Sequence, residues 1–188
     1  MPPVAGDRER LKALLLERSV LRGSFVLASG ATSDVYVDCR LTTLCGEAMP
    51  LIGRLLLERI LARGWRPRAV GGLTMGADPV ACAVAHASQG TEFAVDAFVV
   101  RKAEKGHGRK RYVEGLASAQ GVPCVVLEDV CTTGSSSVQA IERARQAGMQ
   151  VLGVCCLVDR EQGAAARFSA LDCGFEALFR LGELLEAG

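Results

Sequence analysis

Apolar residues recur along the chain with two different spacings, and each spacing predicts one kind of secondary structure. Leucines three and four positions apart predict amphipathic helices at residues 7–19 and 47–63, and Gly64 ends the second of these. Short continuous runs of Val, Leu, Ala and Cys instead predict buried strands. The predicted strands lie at 69–73, 93–100, 123–130 and 151–158, with helices between them at 76–88 and 135–147.

The order of these elements predicts the fold class. Apolar strands that alternate with helices are typical of a parallel sheet covered on both faces, so we expect an α/β fold with helices flanking a central parallel sheet. Residues 1–65, with a helix, a hairpin over 25–39 and a second helix, are expected to form a small hood element. Residues 66–188 are expected to form the α/β core, closed by a short strand and a helix at 175–185, and the chain 1–188 is expected to be a single domain.

Composition and charge limit the possible functions. The chain has 188 residues, of which 49% are hydrophobic and 23% charged, and its net charge is +1. This balance excludes disorder and an extended basic surface for nucleic acid. The absence of a ~20-residue apolar run and of a secretory signal predicts a cytoplasmic protein that does not bind membranes. The eight cysteines include no C-x-x-C pair, which favours reduced core thiols and argues against metal binding through cysteine.

The segment 128–136, Glu-Asp-Val-Cys-Thr-Thr-Gly-Ser-Ser, carries the strongest chemical signal. It follows an apolar strand and opens a helix, so its last five residues place hydroxyls and backbone amides at a helix N-terminus, where a phosphate monoester binds well. The two acids before them suit ribose hydroxyls or a hydrated magnesium ion. An ordinary helix cap explains one or two such residues but not the whole segment, and the spacing and lysine of a Walker loop are missing.

A second loop, at residues 101–111, concentrates the basic side chains. It holds six of the 22 basic residues, three of the four lysines and one of the two histidines, His107, which lies between two glycines. A solvated charge run accounts for the charge but not for the use of lysine in a chain that otherwise uses arginine. We therefore expect a lid that closes over a highly anionic substrate and stabilises charge in the transition state.

A third loop, Gly-Gly-Leu-Thr-Met-Gly at 71–76, directly follows a predicted strand. Its glycines allow the backbone to approach a ligand closely, which is a weak signal on its own. The loops at the carboxyl ends of parallel strands lie together, however, so we expect all three loops to meet at one site. Two phosphate sites around a ribose, with a cationic lid, predict a pocket for phosphoribosyl pyrophosphate.

These segments resemble a known enzyme family. Residues 125–135 resemble the phosphoribosyl pyrophosphate signature of type I phosphoribosyltransferases. Within that group, Arg101-Lys102-x-x-Lys105-x-His107-Gly108 resembles the catalytic loop of the orotate phosphoribosyltransferases. The same family pattern matches residues 23–30, 76–79, 158–160 and 178–185, so the resemblance covers nearly the whole chain, about residues 10–187.

The resemblance implies a type I phosphoribosyltransferase fold and transfer of phosphoribose from the pyrophosphate donor to orotate, giving orotidine 5′-monophosphate in pyrimidine biosynthesis. It implies magnesium as cofactor, held mainly by substrate and water, and a homodimer that shares the 101–111 loop across its interface. The implied catalytic residues are Lys105, His107 and Asp129. The implied contacts with pyrophosphate are Arg101, Lys102, Lys105 and His107, and those with the ribose hydroxyls are Glu128 and Asp129. The implied contacts with the 5′-phosphate are Thr132, Thr133, Gly134, Ser135 and Ser136, and Val130 and Cys131 lie between these two groups in the sequence. Arg160, with Thr132, is the implied contact with orotate.

Two positions depart from the family pattern, and three other hypotheses stay open. Many members have lysine where this chain has Leu21 and Met75, so a cation near the substrate is lost at each position. The alternatives are a type I transferase for a purine base or a related pyrimidine acid, a regulator with this fold that binds nucleic acid, and a bare sugar-phosphate-binding module. The loop motif and Arg160 favour the orotate enzyme, and the near-neutral charge disfavours the regulator.

Overall fold

The fold is described from a computed structural model, and the description covers residues 6–26, 30, 32–103 and 112–186. Lys105 and His107 of the predicted lid therefore lie outside the described residues, as does Ser29 of the predicted hairpin turn. No helix in the described part of the chain combines the length and apolar character needed to cross a membrane.

Helices and strands alternate through most of the described chain. In chain order the elements are α1 (Asp7–Arg18), β1 (Val20–Val26), β2 (Thr32–Val37), α2 (Arg40–Thr43), α3 (Ala48–Ala62), β3 (Ala69–Leu73), α4 (Ala77–Ser88), β4 (Asp96–Val100), β5 (Val113–Glu114), β6 (Pro123–Cys131), α5 (Ser135–Gln146), β7 (Gln150–Asp159), α6 (Ala164–Ser169), β8 (Gly174–Arg180) and α7 (Leu181–Leu185).

Six of the strands form one sheet in the order β5-β4-β3-β6-β7-β8. The pairs β3–β4, β3–β6, β6–β7 and β7–β8 are parallel, and the short edge strand β5 is antiparallel to β4. The predicted parallel sheet flanked by helices is therefore confirmed, with one antiparallel edge. Because β3 lies between β4 and β6, the winding direction of the sheet reverses there, and the loops after β3 and β6 open into the same crevice.

The centre of the sheet is packed tightly enough to require glycine. A Cβ atom added at Gly71 would overlap the carbonyl of Phe98 on β4, and one added at Gly72 would overlap the carbonyl of Leu127 on β6. Both overlaps involve backbone atoms that cannot rotate away. The two glycines predicted to serve ligand approach therefore also allow β3 to fit between its neighbours.

The two faces of the sheet carry separate hydrophobic clusters. One cluster packs α1, α3 and α4 on one face and includes Leu11, Ile52 and Val84. The other packs α5 and α6 on the opposite face, around Phe168 and Ile141. The central strands are covered by apolar side chains on both sides, which explains why their sequences read as continuous apolar runs.

The leading segment differs from the sheet in its pairing. Strands β1 and β2 form a separate antiparallel pair, in which Val20 lies opposite Val37 and the register shifts between Arg22 and Phe25. The rings of Phe25 and Tyr36 contact each other with their centroids 5.5 Å apart. The hairpin predicted over 25–39 is present, and its first strand begins earlier in the chain than the apolar pattern indicated.

Candidate active site

The segment after β6 forms a phosphate-sized cradle. Strand β6 ends at Cys131, α5 begins at Ser135, and Gly134 between them has a positive φ of 78°. A side chain at Gly134 would also collide with the ring of Phe168, so glycine is required here on two grounds. The hydroxyls of Thr133 and Ser135 are 3.0 Å apart, and a cavity of about 90 Å³ lies over the loop. Free amides at the start of a 12-residue helix favour an anion in this cavity.

Two carboxylates stand at the end of β6, on opposite faces of the strand. Glu128 is 6% exposed and accepts a hydrogen bond from Ser137 Oγ at 2.7 Å. Burial raises the pKa of Glu128 to about 7, while the Ser137 hydrogen bond and the charge of Lys102 act in the opposite direction. Burial also raises the pKa of Asp129, against the effect of backbone hydrogen bonds and of Arg40.

A larger cavity of about 280 Å³ joins these groups. It brings together five of the residues predicted from the sequence, although they come from different parts of the chain. They are Lys102, Glu128, Asp129, Val130 and Ser136. The loop after β3, residues 73–76, and the segment 36–40 complete the lining. The loops after β3 and β6 therefore meet at the carboxyl end of the sheet, together with Lys102 from the described start of the basic loop.

The other predicted residues lie around this cavity. Thr132, Thr133, Gly134 and Ser135 line the smaller cavity together with the buried Cys131. Arg101 lies at the end of β4, with a guanidinium nitrogen 3.9 Å from a carboxylate oxygen of Glu114.

Arg160 follows β7 and is hydrogen-bonded to the end of β6, directly before residues 132–136, which we call the phosphate loop. Its backbone amide donates to the carbonyl oxygen of Cys131 at 2.8 Å, next to the paired residues Cys131 and Asp159. The Nε atom of Arg160 is buried and has no hydrogen-bond partner among the described residues, and the side chain lines neither of the two cavities.

The sequence analysis did not predict two polar side-chain pairs that lie at or next to the cavity. Asp38 accepts two hydrogen bonds from the Arg40 side chain, each 2.8 Å long, and these bonds lower the pKa of Asp38. The hydroxyl of Thr74 donates to Asp78 at 2.7 Å. The acid-x-Arg sequence directly after an apolar strand was the available signal for the first pair, since polar residues at strand ends often face a ligand.

Comparison with known proteins identifies relatives over nearly the whole chain, although no family model matches it. The chain is 44% identical over 182 residues to an orotate phosphoribosyltransferase of Synechocystis sp., covering 97% of this chain and 90% of the relative. It is 47% identical over 163 residues to that of Streptomyces avermitilis, covering 87% and 88%. A crystal structure of the Mycobacterium tuberculosis H37Rv orotate phosphoribosyltransferase in complex with 5-phospho-α-D-ribosyl 1-diphosphate superimposes with a TM-score of 0.78, at 38% identity and with 95% and 98% coverage.

Proposed function

The chain belongs to the orotate phosphoribosyltransferase family, and on that premise we propose that it transfers phosphoribose from phosphoribosyl pyrophosphate to orotate. The products are orotidine 5′-monophosphate and pyrophosphate, as part of pyrimidine biosynthesis. The observation that carries the proposal is the single cavity in which the β6 carboxylates, the phosphate loop and Lys102 meet.

The reaction breaks the bond between C1 of the ribose and the pyrophosphate oxygen, and a ring nitrogen of orotate, which gives up its proton to water, forms a new bond to C1. Positive charge develops on the sugar while negative charge develops on the departing pyrophosphate, so the barrier is mainly electrostatic. Lys102 at the cavity, with Arg101 beside it, is suited to stabilise the departing group. Lys105 and His107 are proposed for the same task, and they stay sequence-based predictions.

The remaining groups orient the substrates. Glu128 and Asp129 are suited to accept hydrogen bonds from the ribose hydroxyls, because both line the larger cavity beside the phosphate loop. The amides and hydroxyls of 132–136 are suited to hold the 5′-phosphate. Arg160 is suited to pair with the orotate carboxylate, since its buried Nε is free among the described residues and a guanidinium binds a carboxylate in a bidentate manner.

We propose magnesium as the cofactor, held mainly by the substrate's phosphates and water. No group of three or more His, Cys, Asp or Glu side chains within the described ranges could hold a metal ion. The donor set nonetheless fits magnesium, because this ion commonly binds one or two carboxylates together with substrate phosphates, and Asp129 offers a carboxylate in the cavity. When bound, the ion neutralises charge on the pyrophosphate.

We propose that the protein is a homodimer that shares its 101–111 loop across the interface. Three large apolar side chains are exposed, Leu41 at 49%, Leu44 at 63% and Met75 at 64%, and Met75 lines the larger cavity. Large exposed apolar side chains favour a protein interface when they form one patch.

The whole chain is proposed to be one domain, because α1 and α3 of the leading segment pack in the same cluster as β3 and β6. A cytoplasmic location is proposed because all eight cysteines are free thiols, which are typical of a reducing compartment.

The decisive experiment is the loss of the ultraviolet absorbance of orotate on addition of phosphoribosyl pyrophosphate and magnesium. Adenine and hypoxanthine are assayed in parallel under the same conditions. Consumption of orotate alone supports the proposal. Consumption of a purine instead would identify a purine transferase, and no consumption of any base would favour a binding module or a regulator.

A further inference from the structure

Arg143 makes an unusual set of contacts near the site. It lies on α5, and its guanidinium group donates hydrogen bonds to two successive backbone carbonyl oxygens, those of Arg101 and Lys102. The bond to Lys102 is 3.0 Å long. The same guanidinium lies over the ring of Tyr112, with its central carbon 4.2 Å from the ring centroid. One side chain therefore contacts the backbone that leaves β4 and the side chain of the residue that precedes β5.

These contacts join strand ends that are already paired. The amide of Arg101 donates to the carbonyl oxygen of Tyr112 at 2.8 Å, and Val100 pairs with Val113 in the antiparallel edge of the sheet. The carbonyl groups of residues 101 and 102 lie beyond the end of β4. Arg143 supplies them with donors from outside the sheet, and its planar fork suits two neighbouring acceptors.

Arg143 also belongs to the helix that carries the phosphate loop. Ser136 lines the larger cavity, and Arg143 is seven positions further along α5, so the two residues lie on the same face of one helix. At 1.5 Å per residue, Arg143 is roughly 10 Å from Ser136 along the helix axis. A rigid helix thus connects the phosphate loop to the backbone of residues 101–102.

The connection between α5 and the 101–102 backbone bears on the position of the Lys102 side chain. It lines the same cavity as Glu128 and Asp129, and its charge reaches the buried carboxylate of Glu128. The backbone that carries Lys102 is otherwise outside both the helices and the strands. The position of this ammonium group relative to the carboxylates therefore depends on what holds residues 101 and 102.

We propose that Arg143 is a positioning residue for Lys102: it fixes the backbone of residues 101 and 102 against α5, so that the ammonium group faces the pyrophosphate leaving group. The inference rests on the proposed function, because it assigns Lys102 a leaving group to stabilise. Arg143 itself touches no reacting atom. Its effect is on the transition state, where misplacement of a charge by an ångström is costly.

The test is the Arg143→Met variant, which keeps an unbranched apolar side chain against Tyr112 but removes every donor. We expect kcat to fall roughly 10- to 100-fold, because the lost interaction matters when charge develops on pyrophosphate. The KM for orotate is expected to change by less than about twofold, since the proposed orotate contact is Arg160 and not the 101–102 backbone. Arg143→Lys keeps a charged donor that can reach one carbonyl, and it should recover part of the lost kcat.

Arg145→Met is the matched control. Arg145 is on the same helix and also donates to a backbone carbonyl, that of Leu171 at 2.8 Å, but it contacts the turn before β8. Its replacement removes a comparable structural contact, so it should lower Tm without lowering kcat. If Arg143→Met likewise lowers Tm and leaves kcat unchanged, its role is merely structural and the proposal is overturned.

A double variant tests whether Arg143 acts through Lys102. If it does, Lys102→Met/Arg143→Met should lose no more kcat than Lys102→Met alone, within about twofold. Losses that multiply would overturn the proposal. The affinity for magnesium pyrophosphate, measured by calorimetry, should also fall in Arg143→Met.

These measurements separate the two hypotheses. A wild-type protein that consumes no orotate contradicts the proposed function. The pyrophosphate affinities of wild type and Arg143→Met would still test whether Arg143 positions Lys102. Equal affinities in that case would overturn the inference. Near-ultraviolet circular dichroism establishes that each variant is folded, and Arg143→Lys replaces Arg143→Met in every comparison if the latter does not fold.

Discussion

Ser137 on α5 donates a hydrogen bond from Oγ to Oε2 of Glu128 on β6 at 2.7 Å, and both side chains are buried. The bond ties the carboxylate that faces the substrate cavity to the helix behind it. Burial nevertheless keeps the pKa of Glu128 at about 7, well above the ordinary 4.5 of a glutamate. At neutral pH the free protein is therefore divided between molecules with a protonated and with an ionised Glu128.

This raised pKa predicts a pH dependence of stability. The folded chain holds the Glu128 proton more tightly than the unfolded chain, so the stability contributed by the protonated form is lost as the pH rises from about 4.5 to about 7. Glu128→Gln removes the titration and keeps an acceptor for Ser137. The unfolding free energy of wild type relative to this variant should fall by up to about 3 kcal/mol across that range and stay constant above it.

Urea denaturation between pH 4.5 and 8.5 provides the measurement. Glu142→Gln, at an exposed position on α5, is the control and should leave the pH profile of the wild type unchanged. Parallel profiles for wild type and Glu128→Gln would show that Glu128 titrates alike in the folded and unfolded chain.

Replacement of Gly76 by alanine is expected to lower activity. A Cβ atom at this position would overlap the carboxylate of Asp129, so Gly76→Ala displaces the group proposed to bind a ribose hydroxyl. We expect kcat/KM for phosphoribosyl pyrophosphate to fall by about 10-fold or more while the protein stays folded. Gly46→Ala adds the same methyl group where nothing lies within 4 Å, and it should keep wild-type kinetics. Equal kinetics for both variants would refute the steric argument.

Arg167 is expected to contribute to binding of the donor substrate. It lies on α6 and donates a hydrogen bond from Nη1 to Ser135 Oγ at 2.8 Å, which places a positive charge at the phosphate loop. The 5′-phosphate does not change charge during the reaction, so Arg167→Met should raise the KM for phosphoribosyl pyrophosphate roughly 3- to 10-fold and leave kcat unchanged. Initial rates at varied donor concentration measure this, with Arg66→Met as the control. An unchanged KM would mean that the contact with Ser135 is incidental.

The proposed lid can be tested at Lys105. Lys105→Ala should lower kcat by about 100-fold or more, because the lysine is expected to stabilise charge that develops in the transition state. Turnover of orotate is measured after circular dichroism has shown that the variant is folded. A folded Lys105→Ala variant with unimpaired turnover would rule out this role for the 101–111 loop.

The proposed dimer predicts a change of oligomeric state at Leu44. This side chain is 63% exposed, so Leu44→Glu should cost the isolated chain little stability but place a charge in an apolar interface. Light scattering coupled to gel filtration should give the mass of a dimer for wild type and of a monomer for the variant. A wild-type mass of 19.9 kDa would contradict the dimer directly.

Long apolar elements could be predicted from the sequence because their burial leaves a continuous pattern. The predicted strand 69–73 coincides with β3, and the predicted helix 76–88 differs from α4 by one residue. By contrast, the sequence analysis missed α2, β5 and α6, and it began β4 at residue 93 instead of Asp96. Unlike the continuous apolar run of β3, the sequences of these three short elements show no apolar run of that length and no helical repeat, so tertiary contacts determine them.

The candidate site was predictable where its residues are contiguous. The 128–136 segment combines acids, hydroxyls and a glycine within nine positions, so its chemistry is visible without a structure. Arg143 was missed because its importance lies in a contact with a distant segment, at Lys102, and Arg40 was missed because its charge acts on Asp129, far away in the sequence. The sequence around Arg143 does not differ from that of the many other arginines of this chain, whereas the acid-x-Arg sequence at 38–40 did offer a signal for Arg40.

The pairing of β6 with β7 fixes the position of Arg160, which follows β7, relative to the loop that follows β6. Between Val125 and Cys131 the two strands stay in register, and the irregularity of the pair lies at Cys124, at the end away from the cavity. A slip of one residue would move Arg160 by roughly 3.3 Å relative to the phosphate loop and turn its side chain to the other face. Backbone hydrogen bonds thus fix the spacing between residues 132–136, proposed to hold the 5′-phosphate, and Arg160, proposed to bind orotate. The apolar residues of these strands can vary, but a single insertion in β6 beyond Val125 would shift the phosphate loop relative to Arg160.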